Sequence, residues 1–355
     1  MSILNLIRSD LLNSQNYIPG GDNAQYRAHA NELPWAPVTL ANLNLNYYPD
    51  IRLQTHLQEQ LANYYQIAPD QIVLTRGSDD GIELVTKLFL TTGKDAFMQF
   101  PPTFPMYAFY VRLQQGEMIQ CVLDPSNNFS LSLDKIQNNW KSNCKIIMFC
   151  SPNNPTANLV DLNLIAMACE EYSNKSIIVV DEAYIEFANA QSATTLVAQF
   201  ENLIVLRTMS KAHGLAGLRL GCLIAQAHII QAFHKIIAPY TIPSPTIELT
   251  IRALNDRDWF TTVIEHIKSS RIWVAQKLNE NPMIKKVYPT ETNFILIQTR
   301  FAKQLTNWFA NHGIAVRDFP PSSLLHDHLR ITVGNDEQNQ LLITALSSFK
   351  PMNQD

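Results

Sequence analysis

The most informative stretch of the chain is TMSKAHGLAGLRLG, residues 208–221. It follows NLIVLRT, a short apolar run typical of a strand buried on both faces. Most lysines are solvated surface residues. A lysine held among strand ends, away from bulk water, can instead have a lowered pKa and act as a nucleophile or base. Lys211 is therefore a candidate catalytic residue, and Ser210 with Arg219 predicts a small-anion site.

Short apolar runs alternate with helical periodicity on both sides of this stretch. The predicted strands are 71–75, 96–100, 145–150, 176–181, 202–208 and 220–225. The predicted helices are 50–65, before the first strand, and 79–90 and 160–173 between strands. This alternation predicts an α/β fold with a mostly parallel central sheet and helices on both faces. Ligands of such sheets bind at the carboxyl ends of the strands.

Three parts are predicted along the chain. They are an N-terminal arm (1–48), a large α/β domain (49–245) and a small C-terminal α+β domain (246–355). Prolines at 239, 243 and 245 mark the second boundary. Beyond it the pattern predicts helices over 246–278, broken near 255–258, over 301–311 and at the C-terminus, with strands at 293–298, 314–317 and 328–334.

Composition excludes several classes of protein. With 46% hydrophobic and 16% charged residues, the chain has the material for a compact core. The 27 basic and 31 acidic residues give a net charge of −4, so neither nucleic acid nor an anionic membrane is an expected partner. No segment approaches the ~20 apolar residues of a membrane span. The five cysteines form no C-x-x-C pair and have no histidine at metal-ligand spacing, which predicts buried thiols, no metal and a reducing cytoplasm.

Glycine is scarce and unevenly placed. The chain has 11 glycines, of which Gly77 and Gly81 form one cluster and Gly214, Gly217 and Gly221 another. The first cluster lies in RGSDDG (76–81), which joins a predicted strand to a helix. Backbone N–H groups of Ser78 and Asp79 would open that helix, and a helix N-terminus favours a phosphate. Most such turns bind nothing, so this signal is weak alone.

Two further strand ends carry polar residues. Asp181 ends an apolar run in IIVVDEAYIEF (177–187), where it either caps a helix or holds a ring nitrogen protonated. Tyr184 can reach the same side of that turn. Asn154, in CSPNNP (150–155), either belongs to a rigid loop or donates to a ligand oxygen. An amine, a carboxylate, an amide and an anion cradle together are what pyridoxal phosphate (PLP) requires.

These motifs resemble a known family. SPNNP, DEAY, SKAHGLAGLRLG and LRITVG are similar to the fold-type I PLP-dependent aminotransferases. More narrowly, RGSDDGIEL, APY, ETNFI and RITVG resemble the histidinol-phosphate aminotransferase family, from about residue 17 to residue 334.

The resemblance implies how the cofactor is held. Lys211 would form the Schiff base with PLP and shuttle the proton, and Asp181 would pair with the pyridine nitrogen. Asn154 and Tyr184 would bond the phenolic oxygen, and Phe104 would stack on the ring. The implied phosphate cradle consists of Ser78, Asp79, Ser210 and Arg219.

The resemblance also implies a substrate and an assembly. The substrates would be L-histidinol phosphate and 2-oxoglutarate, giving imidazole acetol phosphate and glutamate in histidine biosynthesis. The implied substrate-binding residues are Tyr17, Asn31, Asn154, Arg317 and Arg330. The chain would form a homodimer with shared active sites, in which Tyr48, or the adjacent Tyr47, reaches the phosphate of the neighbouring subunit.

Three positions depart from the family pattern. Ala157 stands where the SPNNPTG motif has glycine, His213 stands where an aromatic residue is usual, and Leu33 replaces an asparagine of the arm. We interpret His213 as a packing residue rather than a base.

Other functions remain open at this level. A phospho-amino-acid decarboxylase, such as threonine-phosphate decarboxylase, and an aromatic amino-acid aminotransferase share the same motifs. A non-enzymatic regulator that keeps a PLP domain is disfavoured, because the chain has neither spare length nor a basic face.

Overall fold

A seven-stranded sheet forms the centre of the molecule in the computed structural model, which describes residues 26, 28–29, 31–35 and 48–351. Its strands are β1 (Ile72–Thr75), β2 (Ala96–Gln99), β3 (Glu117–Gln120), β4 (Cys144–Cys150), β5 (Ile177–Asp181), β6 (Leu203–Thr208) and β7 (Gly221–Ile224). They lie in the order β1-β7-β6-β5-β4-β2-β3. Strand β7 runs antiparallel to both neighbours, and the pairs from β6 to β3 are parallel. The predicted mostly parallel α/β sheet is confirmed.

Helices cover both faces of this sheet, because successive side chains of its strands point into two separate apolar cores. The helices of the chain are α1 (Ile51–Tyr65), α2 (Ser78–Phe89), α3 (Met106–Leu113), α4 (Leu133–Asn139), α5 (Leu162–Glu171), α6 (Ala227–Phe233), α7 (Ser244–Asn255), α8 (Arg257–Asn279), α9 (Ala302–Asn311) and α10 (Asp336–Ser347). Helices α1, α5 and α7 contribute to one core, and α2, α3 and α6 to the other.

A second, four-stranded antiparallel sheet follows in the C-terminal part. It is built from β8 (Lys286–Val287), β9 (Phe294–Gln298), β10 (Arg317–Asp318) and β11 (His328–Thr332) in the order β10-β11-β9-β8. Helices α8, α9 and α10 enclose a third core with it, which also contains Tyr26 of the arm. The expected small α+β unit is therefore present. Since α7 packs against α1, the exact boundary at 245/246 stays a prediction.

The segment 314–317, which we expected to be one strand, divides in the structure. Ile314 forms an isolated bridge with Tyr26, whose N–H donates to the carbonyl of Gly313 (3.0 Å). The strand itself begins at Arg317. The arm therefore joins the second sheet where a strand end was expected.

No helix within the described ranges is long and apolar enough to cross a lipid bilayer.

Gly221, the first residue of β7, sits where three backbone segments meet. A Cβ there would lie 2.7 Å from the carbonyl carbon of Gly77 and 2.8 Å from both Ser78 N and Arg207 O. The close approach brings the N-terminus of α2 against the last residues of β6 and the start of β7. Only glycine fits without moving backbone atoms.

We expect Gly221→Ala to lower the free energy of unfolding by about 3 kcal/mol, at the upper end of overpacking costs because the obstructing atoms are backbone. Gly217→Ala is the matched control, since no atom of the described residues lies within 4 Å of its Cβ position. It should change stability by less than about 0.5 kcal/mol. Urea unfolding of both apo-proteins measures the difference, and equal midpoints would contradict the crowding at Gly221.

Candidate active site

A cavity of about 340 Å³ lies at the carboxyl edge of the large sheet. It is formed where β4, β5 and β6 end side by side, and it also receives the start of α2 and residues of the arm and of β11. Eleven of the predicted site residues line it, namely Asn31, Ser78, Asp79, Phe104, Asn154, Asp181, Tyr184, Ser210, Lys211, Arg219 and Arg330. The parallel sheet thus brings together residues that are distant in sequence.

Lys211 follows β6 and presents its amine to this cavity. Nζ lies 5.8 Å from the centre of the Tyr184 ring. Burial, and after it the positive charge of Arg330, lower the pKa of Lys211 to about 8. Near neutral pH the amine is therefore uncharged far more often than that of an exposed lysine, as a nucleophile or base requires.

Asp181 ends β5 on the floor of the cavity and is almost fully buried. Its Oδ1 accepts from the backbone N–H of Ala183 (3.1 Å), and its Oδ2 accepts from the hydroxyl of Tyr107 (2.8 Å). Burial raises the pKa of Asp181 to about 6, although both hydrogen bonds act to lower it. Asp181 forms no salt bridge with the described residues, so a cationic group bound beside it would favour its ionised form.

An anion cradle forms where α2 begins. Helix α2 starts at Ser78, and its first N–H groups face the same edge as Ser210 and Arg219. The Arg219 guanidinium donates to Ser210 Oγ (3.3 Å) and to Asp79 Oδ2 (3.4 Å). Gly77 has a φ of 82°, and a Cβ at that residue would lie 2.7 Å from Arg219 Nη2. Glycine is therefore needed both for the turn and for the approach of the guanidinium.

Asn154 and Arg330 contact each other on the cavity wall. Arg330 Nη1 donates to Asn154 Oδ1 (2.5 Å), and Nη2 donates to the carbonyl of His29. Because its oxygen is occupied, Asn154 has its amide nitrogen to offer a ligand. The Asn154–Pro155 peptide bond is cis.

The described part of the arm is anchored to the same site. Asn31 Nδ2 donates to the hydroxyl of Tyr184 (3.0 Å), and Asn31 Oδ1 accepts from Thr332 Oγ1 (2.8 Å). Asn293 Nδ2 donates to the carbonyl of Asn31 (3.1 Å). Asn31 therefore links the large sheet to the second sheet across the cavity.

Two predicted site residues lie elsewhere, and two lie outside the described residues. Tyr48 is 80% exposed and stacks on Tyr240. Arg317 pairs with Arg330 in the β10–β11 register, but it is not part of the cavity wall. Tyr17 and Tyr47 fall outside the described residues.

The structure also adds residues that sequence reasoning missed. His29, Met106, Cys150, Ala183 and Thr208 line the cavity. Tyr107 touches Asp181 from outside the wall. Its position three residues after Phe104, near the start of α3, is the sequence signal that could have indicated it.

The residues present fit pyridoxal phosphate. The cradle at Gly77 leaves room for Arg219 beside a helix N-terminus, which suits a phosphate. The buried Asp181 carboxyl would be stabilised in its ionised form by a protonated ring nitrogen, and the Lys211 amine can react with an aldehyde. A sheet of this topology with such an edge defines a PLP-dependent enzyme of fold type I.

Comparison with known proteins gives the family. Residues 12–346 match the model of aminotransferase class I and II. Histidinol-phosphate aminotransferase 1 of Legionella pneumophila (strain Paris) is 75% identical over 349 residues, covering 98% of this chain and 96% of that protein. The enzyme of Xanthomonas euvesicatoria pv. vesicatoria is 36% identical, with 97% of each chain covered. The chain therefore belongs to aminotransferase class I and II and, within it, to the histidinol-phosphate aminotransferases.

A solved structure shares the fold. Histidinol-phosphate aminotransferase of Sinorhizobium meliloti, in complex with pyridoxal-5'-phosphate, superposes with a TM-score of 0.84 at 23% identity. The superposition covers 96% of each chain.

Ala157 shows why the family motif has glycine at this position. Its φ is 65°, in the left-handed region that glycine favours, and the residue is completely buried. Its N–H donates to the carbonyl of Asn153 (2.7 Å), which keeps the turn closed. The turn that carries Asn154 is thus formed with alanine in place.

His213 packs between aromatic rings close to Lys211. It stacks on Phe260 at 4.7 Å between ring centres and meets the edge of Tyr64 at 5.3 Å. Neither ring nitrogen has a hydrogen-bond partner among the described residues. Burial lowers the pKa of His213 to about 4 from its usual 6.5.

The lowered pKa of His213 predicts that this residue makes the stability of the protein sensitive to acid. Below pH 6.5 His213 is protonated in the unfolded chain, whereas in the folded protein it stays neutral down to about pH 4. The free energy of unfolding therefore falls as the pH drops through that range. We expect the free energy of unfolding of His213→Phe to rise by about 1 kcal/mol relative to that of the wild type when the pH is lowered from about 7.5 to about 5.5. Urea unfolding of the two apo-proteins at both pH values measures this. An unchanged difference would contradict the assignment.

Proposed function

We propose that this chain transfers the amino group of L-histidinol phosphate to 2-oxoglutarate with PLP, giving imidazole acetol phosphate and glutamate in histidine biosynthesis. The observation that carries the proposal is the cavity that joins Lys211, Asp181 and the Arg219 cradle in a chain of this family. When bound, PLP supplies a ring that accepts the electrons developed at the substrate Cα. The residues of the chain would hold this ring, orient it and move a proton at the substrate Cα.

Each residue at the cofactor end has a separate task in this proposal. Lys211 attaches the cofactor and moves the proton at the substrate Cα, for which its lowered pKa suits it. Asp181 keeps the ring nitrogen cationic. Asn154 and Tyr184 donate to the phenolic oxygen, and Phe104 packs on the ring. The α2 N-terminus, Ser210 and Arg219 hold the phosphate.

The part of the cavity around Arg330 would bind the substrate. Arg330 is the positively charged residue of this part of the cavity wall. Its contact with Asn154 places it next to a residue that would hold the cofactor. Histidinol phosphate has no carboxylate, so its phosphate would use the place that the carboxylate of glutamate takes in the other half-reaction. Arg317 and Tyr17 complete the proposed substrate set, and Asn31 holds the arm in position.

Turnover with alternative substrates tests the proposal. We expect kcat/KM for histidinol phosphate to exceed that for phenylalanine by about 100-fold, since a phosphate offers Arg330 more charge and one more acceptor oxygen than a carboxylate does. Lys211→Ala should lower kcat by about 10³-fold. The exposed Lys94→Ala is the matched control and should leave kcat unchanged.

Glutamate formation and CO₂ release are followed in the same assay. Release of CO₂ from O-phosphothreonine without glutamate would instead identify a decarboxylase. A higher kcat/KM for phenylalanine would identify an aromatic aminotransferase.

The proposal includes a homodimer with shared active sites in the cytoplasm. Tyr48 and Ile51 are strongly exposed apolar side chains, and Tyr48 stacks on Tyr240. Arg219 and Asp79 of the cradle also line an open cavity of about 600 Å³ on the outer surface. A tyrosine from a second subunit would approach the phosphate from this side. The five cysteines are all unpaired and buried, which suits a reducing compartment.

Subunit mixing tests the shared site. Lys211→Ala and Tyr48→Ala would each damage one half of the same site, so a mixed dimer contains one intact site and one doubly damaged site. After equal mixing and exchange at low cofactor concentration, about a quarter of the wild-type activity should return. A monomeric mass in solution, or no recovery on mixing, would contradict the shared site.

A further inference from the structure

Asp181 is held from two sides by different kinds of donor. The backbone N–H of Ala183 bonds one carboxylate oxygen, and this contact follows from the path of the chain after β5. The hydroxyl of Tyr107 bonds the other oxygen at 2.8 Å. Among the described residues, Tyr107 is the side chain that donates to Asp181. The carboxylate therefore depends on a residue 74 positions earlier in the chain for its second hydrogen bond.

Tyr107 is built into the core rather than into the cavity wall. It is fully buried on α3, and its ring meets Phe104 edge to face at 5.7 Å and lies 6.5 Å from Phe97. A tyrosine hydroxyl in an apolar core is costly unless it is bonded. The packed ring holds the hydroxyl in place and directs its bond to Asp181. Burial, then the charge of Asp181, raise the pKa of Tyr107 well above 10, so the hydroxyl keeps its proton to donate.

The bond acts on the charge of Asp181 as well as on its orientation. Hydrogen bonds to the ionised form of a carboxyl favour that form. The buried Asp181 has a pKa of about 6 with the Tyr107 bond in place. Loss of the bond would raise this pKa, so that more of the Asp181 carboxyl would be protonated near pH 7. A neutral Asp181 would interact only weakly with a cationic nitrogen.

We propose that Tyr107 is a positioning residue that keeps Asp181 ionised and aimed into the cavity, and so sets the preference of the site for a protonated pyridine nitrogen. The inference rests on the proposed function in one respect, the pairing of Asp181 with that nitrogen. It assigns Tyr107 no contact with the cofactor.

The test compares two cofactors bound to the apo-protein, PLP and its 1-deaza analogue, in which carbon replaces the ring nitrogen. Dissociation constants come from quenching of tryptophan fluorescence, so the readout does not depend on turnover. We expect the wild type to prefer PLP and Tyr107→Phe to reduce that preference about tenfold or more, as for loss of one bond to a charged group. Binding of the 1-deaza analogue should change by less than about threefold.

A matched control removes another buried hydroxyl. Tyr172 is 2% exposed, and its hydroxyl has no hydrogen-bond partner within the described part of the chain. Tyr172→Phe should leave both dissociation constants unchanged. In the Asp181→Asn background, Tyr107→Phe should have no further effect on the preference, because the two residues act through one interaction. Circular dichroism and the thermal midpoint establish that each variant folds.

The outcomes separate the inference from the function. Equal weakening of both cofactors by Tyr107→Phe would make Tyr107 a packing residue and overturn the inference, and so would unchanged binding of both. Absence of any preference in the wild type would overturn the pairing of Asp181 with the ring nitrogen instead. Transamination of histidinol phosphate by the wild type tests the proposed function independently of all three results.

Discussion

The parallel register of β4, β5 and β6 is the constraint on which the rest of the site depends. Cys150 pairs with Asp181, and Asp181 pairs with Leu206, so the three strands end at nearly the same level. Each strand is followed by a residue or turn that carries one chemical group, and the parallel direction places all of them on one edge. Antiparallel pairing would send alternate groups to opposite edges. The antiparallel strand β7 ends the parallel series, and its first residue, Gly221, packs against the start of α2.

A buried ion cluster holds two of these strand ends together. Arg207, one residue before the end of β6, donates to Glu182 (3.2 Å) and to Glu186 (2.7 Å), and its guanidinium lies 4.5 Å from the centre of the Tyr65 ring. Glu182 also accepts from the N–H of Ala193 (2.6 Å). Because neighbouring side chains point to opposite faces, Glu182 serves this cluster while Asp181 serves the cavity. Removing one partner of such a cluster typically costs about 3–5 kcal/mol, since the remaining charge stays buried.

The elements that sequence reasoning predicted are those with a strong local signal. Six strands of the large sheet appear as apolar runs because both of their faces are buried. The edge strand β3 was missed because only Ile119 of its four residues is buried, so its pattern is that of a loop. The spacing of Tyr107 from Phe104 could have indicated that Tyr107 lies near the cavity, but its bond to Asp181 could not be predicted, because no local pattern states which helix packs beneath which strand end. Arg317 shows the same limit: the β10–β11 register pairs it with Arg330, yet the cavity wall does not include it.

The charges around Lys211 link the two anion sites of the cavity. The positive charge of Arg330 helps to lower the pKa of Lys211, whereas the negative charges of Asp79 and Glu32 act to raise it. An anion held by Arg330 offsets that positive charge, and the pKa of Lys211 then rises. A phosphate in the Arg219 cradle acts in the same direction, because Arg219 also lowers this pKa. The charges at the two anion sites therefore act on the pKa of Lys211 in the same direction, which couples the amine to both.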